Sequence, residues 1–426
     1  MKLKRITAAL LAGVMCVGLL AGCGSKGDGD EKGSGDKITI RLLTRMAGTT
    51  AQVDIYNDIL DEFKEKHPEV TIVDDSQGDE SAFNNILSTD IASGTMANIF
   101  RIQGVANLSE YIDNGLILDV QPYLDEDPEW GGGFTEGALS YYQVPGKEGT
   151  YAIPMESGLI GVYYNKDLFD KYGVEYPDEN TTWEEFKDKC KQLTQDGNYG
   201  TVFASSLDYY DPQVLSLGGE IINEKGEFDI TGDKTTAALQ SLADLINVDK
   251  VAPKIADTAN TVWNWEQFEG GNIGMMIDGP WGATNVTNYC DFNVGYSIIP
   301  KAEKQVTTIN GSALAVTSES KHPKEAYQAL EVLTSPEAQK LLAENGRALP
   351  SRDSVRDYYY ESTSELEGLE DAIKKSIEIG MPYYVTKKYS EVSTVFNSGM
   401  DTVWAGEVSA KDAAKDIQAQ VDMILQ

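Results

Sequence analysis

Apolar, β-branched segments of strand length alternate along this chain with segments whose apolar residues recur at helical spacing. That alternation predicts an α/β fold with parallel-rich sheets flanked by helices. Composition agrees: the 426 residues are 41% hydrophobic and 24% charged, as in a globular protein and unlike a multispan membrane protein or a disordered chain. The length suits about two domains of ordinary size. No internal repeat, coiled-coil heptad or second long apolar span interrupts the pattern.

The first element is a leader. Lys2, Lys4 and Arg5 precede an uncharged stretch from Ile6 to Ala21, short for a membrane span and with the basic start of a secretory signal. It closes in Leu20-Ala21-Gly22-Cys23, which resembles the lipobox of bacterial lipoproteins. The resemblance implies a signal peptide over 1–22, cut just before Cys23, and a diacylglyceryl anchor on that cysteine. The glycine, serine and charged residues that dominate 23–36 cannot build a core, so this segment is a flexible tether reaching on the order of 20 Å. Cys16 leaves with the signal. For Cys190 and Cys290, both a disulfide and two free thiols remain open.

The body follows. Ile38 to Leu43 is a β-branched strand, and Tyr56, Ile59, Leu60 and Phe63 then recur at helical spacing until Pro68. Val70 to Val73 returns to strand; Phe83, Ile86, Leu87 and Ile91 mark a second helix closing at Gly94; Asn98 to Ile102 is a third strand. Strand–helix–strand–helix–strand is the pattern of a parallel sheet. Further helices are expected over 183–195, 234–247, 323–344 and 409–425. Ligands of open α/β sheets bind beyond the carboxyl ends of the strands, which points to the loops after Leu43, Val73 and Ile102.

Charge narrows the partners. With 35 Lys+Arg against 68 Asp+Glu, the formal charge is −33, a surface that repels phosphate backbones and disfavours nucleic acid. The only histidines, His67 and His322, each precede a proline at a helix boundary. No nucleophile elbow, P-loop, His-Glu-x-x-His or Cys-x-x-Cys occurs, and no compact acidic loop has cation-ligand spacing. The reading is therefore of a non-enzyme with no cofactor and no metal.

Three stretches are more specific. The first joins Tyr151-Ala152-Ile153-Pro154 to Gly161-Val162-Tyr163-Tyr164-Asn165-Lys166-Asp167-Leu168-Phe169 and Thr182-Trp183-Glu184-Glu185-Phe186. The second is Phe268-Glu269-Gly270-Gly271-Asn272-Ile273-Gly274-Met275-Met276-Ile277-Asp278-Gly279-Pro280-Trp281. The third runs from Ser320-Lys321-His322-Pro323 through Ser335-Pro336-Glu337 to Gly346-Arg347-Ala348-Leu349-Pro350. In this order they resemble the extracellular solute-binding proteins of family 1, the maltose-binding-like receptors of ABC importers, over essentially the whole chain from Lys37. The resemblance implies a two-lobed fold with a hinge: an N-terminal lobe of 37–152 plus 297–349 and a C-terminal lobe of 153–296 plus 350–426. It further implies a monomer on the outer face of the bacterial cell membrane that captures a carbohydrate, an oligosaccharide, between its lobes and presents it to ABC permease subunits.

The resemblance also assigns candidate ligand contacts. Trp281 stands where the family commonly stacks a tryptophan on the sugar face, and Glu156 where the maltose-binding branch has a ligand glutamate able to accept two hydroxyl hydrogen bonds. Asp208, Tyr209 and Tyr210 occupy a loop of acidic and aromatic contacts. Arg45, in the loop after the first strand, and Asp79, in the loop after the second, are first-lobe candidates, with Arg101 and Gln103. Arg101 replaces the tryptophan of the maltose-binding branch, which argues against maltodextrin; an acidic sugar or a salt bridge are its two possible partners. Trp263 and Trp265 read as surface or core aromatics, while Tyr383, Tyr384 and Tyr389 belong to a closing segment where relatives supply a further aromatic. The competing classes are a secreted glycosidase using two carboxylates and a receptor for a non-sugar solute.

Overall fold

In the computed structural model, residues 38–426 are described apart from 47–49, 106, 135–137, 145 and 258–263. The signal peptide, the tether, Cys23 and Trp263 lie outside the described residues. Among the described residues, no helix is long and apolar enough to cross a membrane.

Among the described residues, eleven strands build two sheets. β1 (Ile38–Leu43), β2 (Val70–Asp74), β3 (Ile99–Gln103), β4 (Ile153–Leu159), β9 (Thr307–Val316), β10 (Leu349–Pro350) and β11 (Gly380–Pro382) form the first, in the order β10-β4-β9-β3-β1-β2 with β11 on β9. β5 (Gly161–Asn165), β6 (Tyr199–Val202), β7 (Ile273–Asp278) and β8 (Val294–Ile298) form the second, in the order β6-β7-β5-β8. Both sheets are mixed. β1 runs parallel to β2 and β3 through intervening helices, whereas β9 runs antiparallel to both β3 and β4.

Local chemistry explains the elements. In β1, Ile40, Leu42 and Leu43 are buried against Ile59, Leu60 and Phe63 of the helix Thr50–Lys66 or the β3 side of the sheet. Asp79 caps the helix Glu80–Ser93 by accepting from the Ala82 N–H at 2.8 Å, and Gly94, at φ 67°, ends it. Thr182 and Glu185 close a capping box at the start of the helix Trp183–Leu193. The helix expected over 323–344 is two helices, Pro323–Leu333 and Pro336–Glu344. Pro336 has no N–H to continue the first one, and Ser335 caps the second. Cys190 and Cys290 are both free thiols.

The chain passes between the sheets after Leu159 and between Ile298 and Thr307, so β4 belongs to the first sheet and β8 to the second. The buried Thr307 hydroxyl joins the two crossings: it accepts from the Ile160 N–H and donates to the Ile160 carbonyl, both at 2.9 Å.

Candidate ligand-binding site

A β-bulge sets the site. Ile153 and Pro154 oppose Leu314 and Ala313 of β9, but Glu156 opposes Ser312, so Met155 is the extra residue. Without it Glu156 would point to the opposite face of the sheet, because side chains alternate along a strand. With it, the carboxylate meets the Ser312 hydroxyl at 2.5 Å and the Arg101 guanidinium at 2.7 Å. Arg101 reaches it from β3, where Arg101 opposes Leu314 and Gln103 opposes Ser312. The Glu156 and Arg101 side chains are 12% and 10% exposed. Burial works against Glu156 ionising, but the charges of Arg101 and Arg347 and the Ser312 hydrogen bond prevail and hold it below the usual carboxylate range.

Arg347 arrives by another route. Gly346, at φ 61°, ends the helix Pro336–Glu344, and the Arg347 N–H returns to the Leu342 carbonyl at 2.9 Å. β10 then pairs with β4 at Glu156 and Ser157. The Thr284 hydroxyl, on the helix Ala283–Tyr289 of the second lobe, donates to the Gly346 carbonyl. Among the described residues, Arg101 Nε, Arg347 Nε, the Tyr142 hydroxyl and Asn310 Oδ1 are buried without a hydrogen-bond partner. The charges of Arg101 and Glu156 also act on the Tyr142 hydroxyl, which burial pushes well above its ordinary value.

Trp281 comes from the second lobe on a tight turn, Pro280–Gly282, after β7. Three tyrosine hydroxyls donate to three successive carbonyls of this turn: Tyr296 to Asp278 at 3.2 Å, Tyr163 to Gly279 at 2.9 Å and Tyr359 to Pro280 at 2.7 Å. The Trp281 side chain also hydrogen-bonds the Asp278 carboxylate, which accepts from the Gly279 N–H at 2.7 Å. The half-buried indole lies over Gly158 of β4, with Tyr209 edge-on at 6.2 Å between centroids. A Cβ at Gly158 would meet the indole at 2.7 Å and Asn310 Oδ1 at 2.2 Å. Gly158→Ala is therefore expected to displace the ring and weaken ligand binding at least tenfold, measured by calorimetric titration beside the unaltered protein.

Asp278 carries a pH dependence. Burial raises its carboxyl to about 7, against the two hydrogen bonds that favour the ionised form. The folded state therefore keeps a proton that the unfolded chain has already lost above its ordinary value near 4. The stability this confers is complete below about pH 4 and is lost as pH rises to about 7, on the order of 4 kcal/mol in total. Asp278→Asn is expected to flatten that part of the stability profile in urea denaturation series; an unchanged slope would assign it to other groups.

The remaining candidates are distributed as follows. Arg45 donates to the Gly78 carbonyl at 3.2 Å in the loops after β1 and β2, and the exposed Asp79 caps its helix. Gln103 is exposed on the face that carries Ser312. Tyr209 meets Trp281, but Tyr210, one residue on, is fully buried among Phe203, Phe396 and Trp404 and presents no ring to the cleft. The Asp208 side chain lies outside the described residues. Of the two partners open to Arg101, the structure shows the salt bridge. Trp265 stacks on Tyr289, while Tyr383 and Tyr384 line a cavity of about 380 Å³ opposite Tyr141 and Lys147, and Tyr389 meets the Tyr383 hydroxyl at 2.5 Å. Sequence reasoning missed Arg347, Asn310 and Ser312; the Gly-Arg-Ala-Leu-Pro stretch was the one available signal for the first.

Comparison with known proteins places this geometry. The family model for the bacterial extracellular solute-binding protein matches residues 47–340. A binding protein of Brucella abortus (strain 2308) is 26% identical over 354 residues, covering 80% of this chain and 82% of its own. The lactose-binding protein of Rhizobium radiobacter is 25% identical over 317 residues, covering 69% and 71%. In fold, the chain is similar to an ABC substrate-binding protein from Listeria monocytogenes in complex with cycloalternan. The TM-score is 0.83, with 22% identity and coverage of 92% of this chain and 99% of that one. With its two α/β lobes and this match over most of its length, the chain belongs to the family of bacterial extracellular solute-binding proteins.

Proposed function

We propose that this protein is the carbohydrate receptor of an ABC importer, capturing an oligosaccharide between its lobes without chemical turnover. One observation carries the reading: a half-buried tryptophan beside a row of buried polar atoms, from Asn310 to Arg101 and Arg347, that lack protein hydrogen-bond partners. A sugar presents an apolar C–H face and a rim of hydroxyls, which match those two surfaces. The lactose-binding relative supports the same ligand class. Glu156, held ionised between two arginines, is a poor proton donor, which disfavours the glycosidase alternative.

Closure follows from the crossings. Trp281 and Tyr209 belong to one lobe, and Glu156, Arg101 and Asn310 to the other. A ligand touching both sets favours the closed arrangement by its differential affinity. In this reading Cys23 carries the lipid, the tether spaces the receptor from the membrane, and the monomer presents its ligand to permease subunits.

Thermal unfolding across an oligosaccharide panel tests the reading. At least one member is expected to raise the melting temperature, since a ligand at 100 times its Kd stabilises the native state by about 2.7 kcal/mol. No shift with any saccharide, or release of hydrolysis products by the pure protein, would contradict it.

A further inference from the structure

The Arg101–Glu156–Arg347 cluster is not electrically balanced. Two guanidinium groups share one carboxylate, and Arg101 takes its direct contact. Arg347 makes no ion pair among the described residues, its Nε is buried without a hydrogen-bond partner, and the residue as a whole is half-buried. Burial is the main influence on Arg347 and lowers it; the charge of Glu156 favours its cationic form and that of Arg101 opposes it. A formal positive charge is thus left over inside a chain whose net charge is −33.

Ligand closure would make this imbalance worse. A saccharide filling the cleft removes the solvent access that the half-buried Arg347 keeps, and desolvating an uncompensated guanidinium is unfavourable. Neutral hydroxyls can accept its hydrogen bonds but cannot cancel its charge. A carboxylate does both, through the planar fork that guanidinium presents to two oxygens.

We propose that the ligand is an acidic saccharide, a sugar chain bearing a uronate-type carboxylate, and that Arg347 pairs with that carboxylate. This rests on the carbohydrate-receptor reading and narrows it. Glu156 then has two tasks: it fixes Arg101 by direct contact, and it repels a misplaced carboxylate, leaving the Arg347 side as the place where the anionic group docks.

The test titrates the full mature chain with matched pairs by calorimetry: tri-galacturonate against its fully methyl-esterified form, and cellobiouronic acid against cellobiose. Esterification removes the charge and keeps the rings. The acid of at least one pair is expected to bind at least tenfold more tightly than its neutral partner, with a preference that shrinks as salt rises. Arg347→Gln should bring that ratio close to one, and Arg347→Lys should restore part of it, with melting temperatures of both variants confirming a folded chain. Neutral members binding as well as or better than acids in every pair, or a preference unchanged in Arg347→Gln, would overturn the acidic assignment and leave the receptor reading standing. Absence of binding by every acid and every neutral saccharide would overturn both.

Discussion

Replacing Trp281 by alanine is expected to weaken saccharide binding at least tenfold, about 1.4 kcal/mol, while leaving the protein folded. The indole is half-buried against Gly158 and Asn310, so truncation removes an aromatic face from the cleft but little from either core. The turn that carries it is held independently through backbone carbonyls by Tyr296, Tyr163 and Tyr359. Calorimetric titration with the best ligand of the panel, beside a thermal melt, separates the two effects. Unchanged affinity would remove Trp281 from the site.

Glu156→Gln is expected to destabilise the fold by about 3 kcal/mol, because it leaves the buried Arg101 and the half-buried Arg347 without their shared counter-charge. The glutamine still accepts from Ser312, so the loss reports charge more than hydrogen bonding. Urea denaturation at neutral pH measures it. In the unaltered protein the Glu156 carboxyl lies below its ordinary range, so the stability it supplies is present above the unfolded-state value and is lost as pH falls through the folded-state one. A variant as stable as the parent would mean that the two arginines need no neutralisation.

How much of this was legible beforehand differs from residue to residue. The β1 and β3 runs, the helix spacing around Phe63 and Phe83 and the Asp278-Gly279-Pro280-Trp281 turn all express local pattern, and the structure has them as strands, helices and a turn. Asp79 could have been read as a helix cap, since it immediately precedes the apolar spacing of Phe83, Ile86 and Leu87. Tyr210 could have been placed in the core, for it shares a helical face with Val214. The bulge at Met155 could not: nothing in Pro154-Met155-Glu156 says that the pairing with β9 will pass over Met155. That skip decides which face Glu156 occupies. Arg347 was equally hidden, because it comes within range of the Glu156 charge only after β10 has paired with β4, a pairing nearly two hundred positions apart. Pairing of β4 along its length likewise depends on β9 and not on its own residues.

Small-angle X-ray scattering of residues 38–426, with and without a saturating saccharide chosen by thermal shift, tests the central claim most directly. A receptor whose lobes close over its ligand should show a smaller radius of gyration on saturation, with the saccharide recovered intact. An unchanged scattering curve at proven saturation, or a saccharide recovered in pieces, would contradict it.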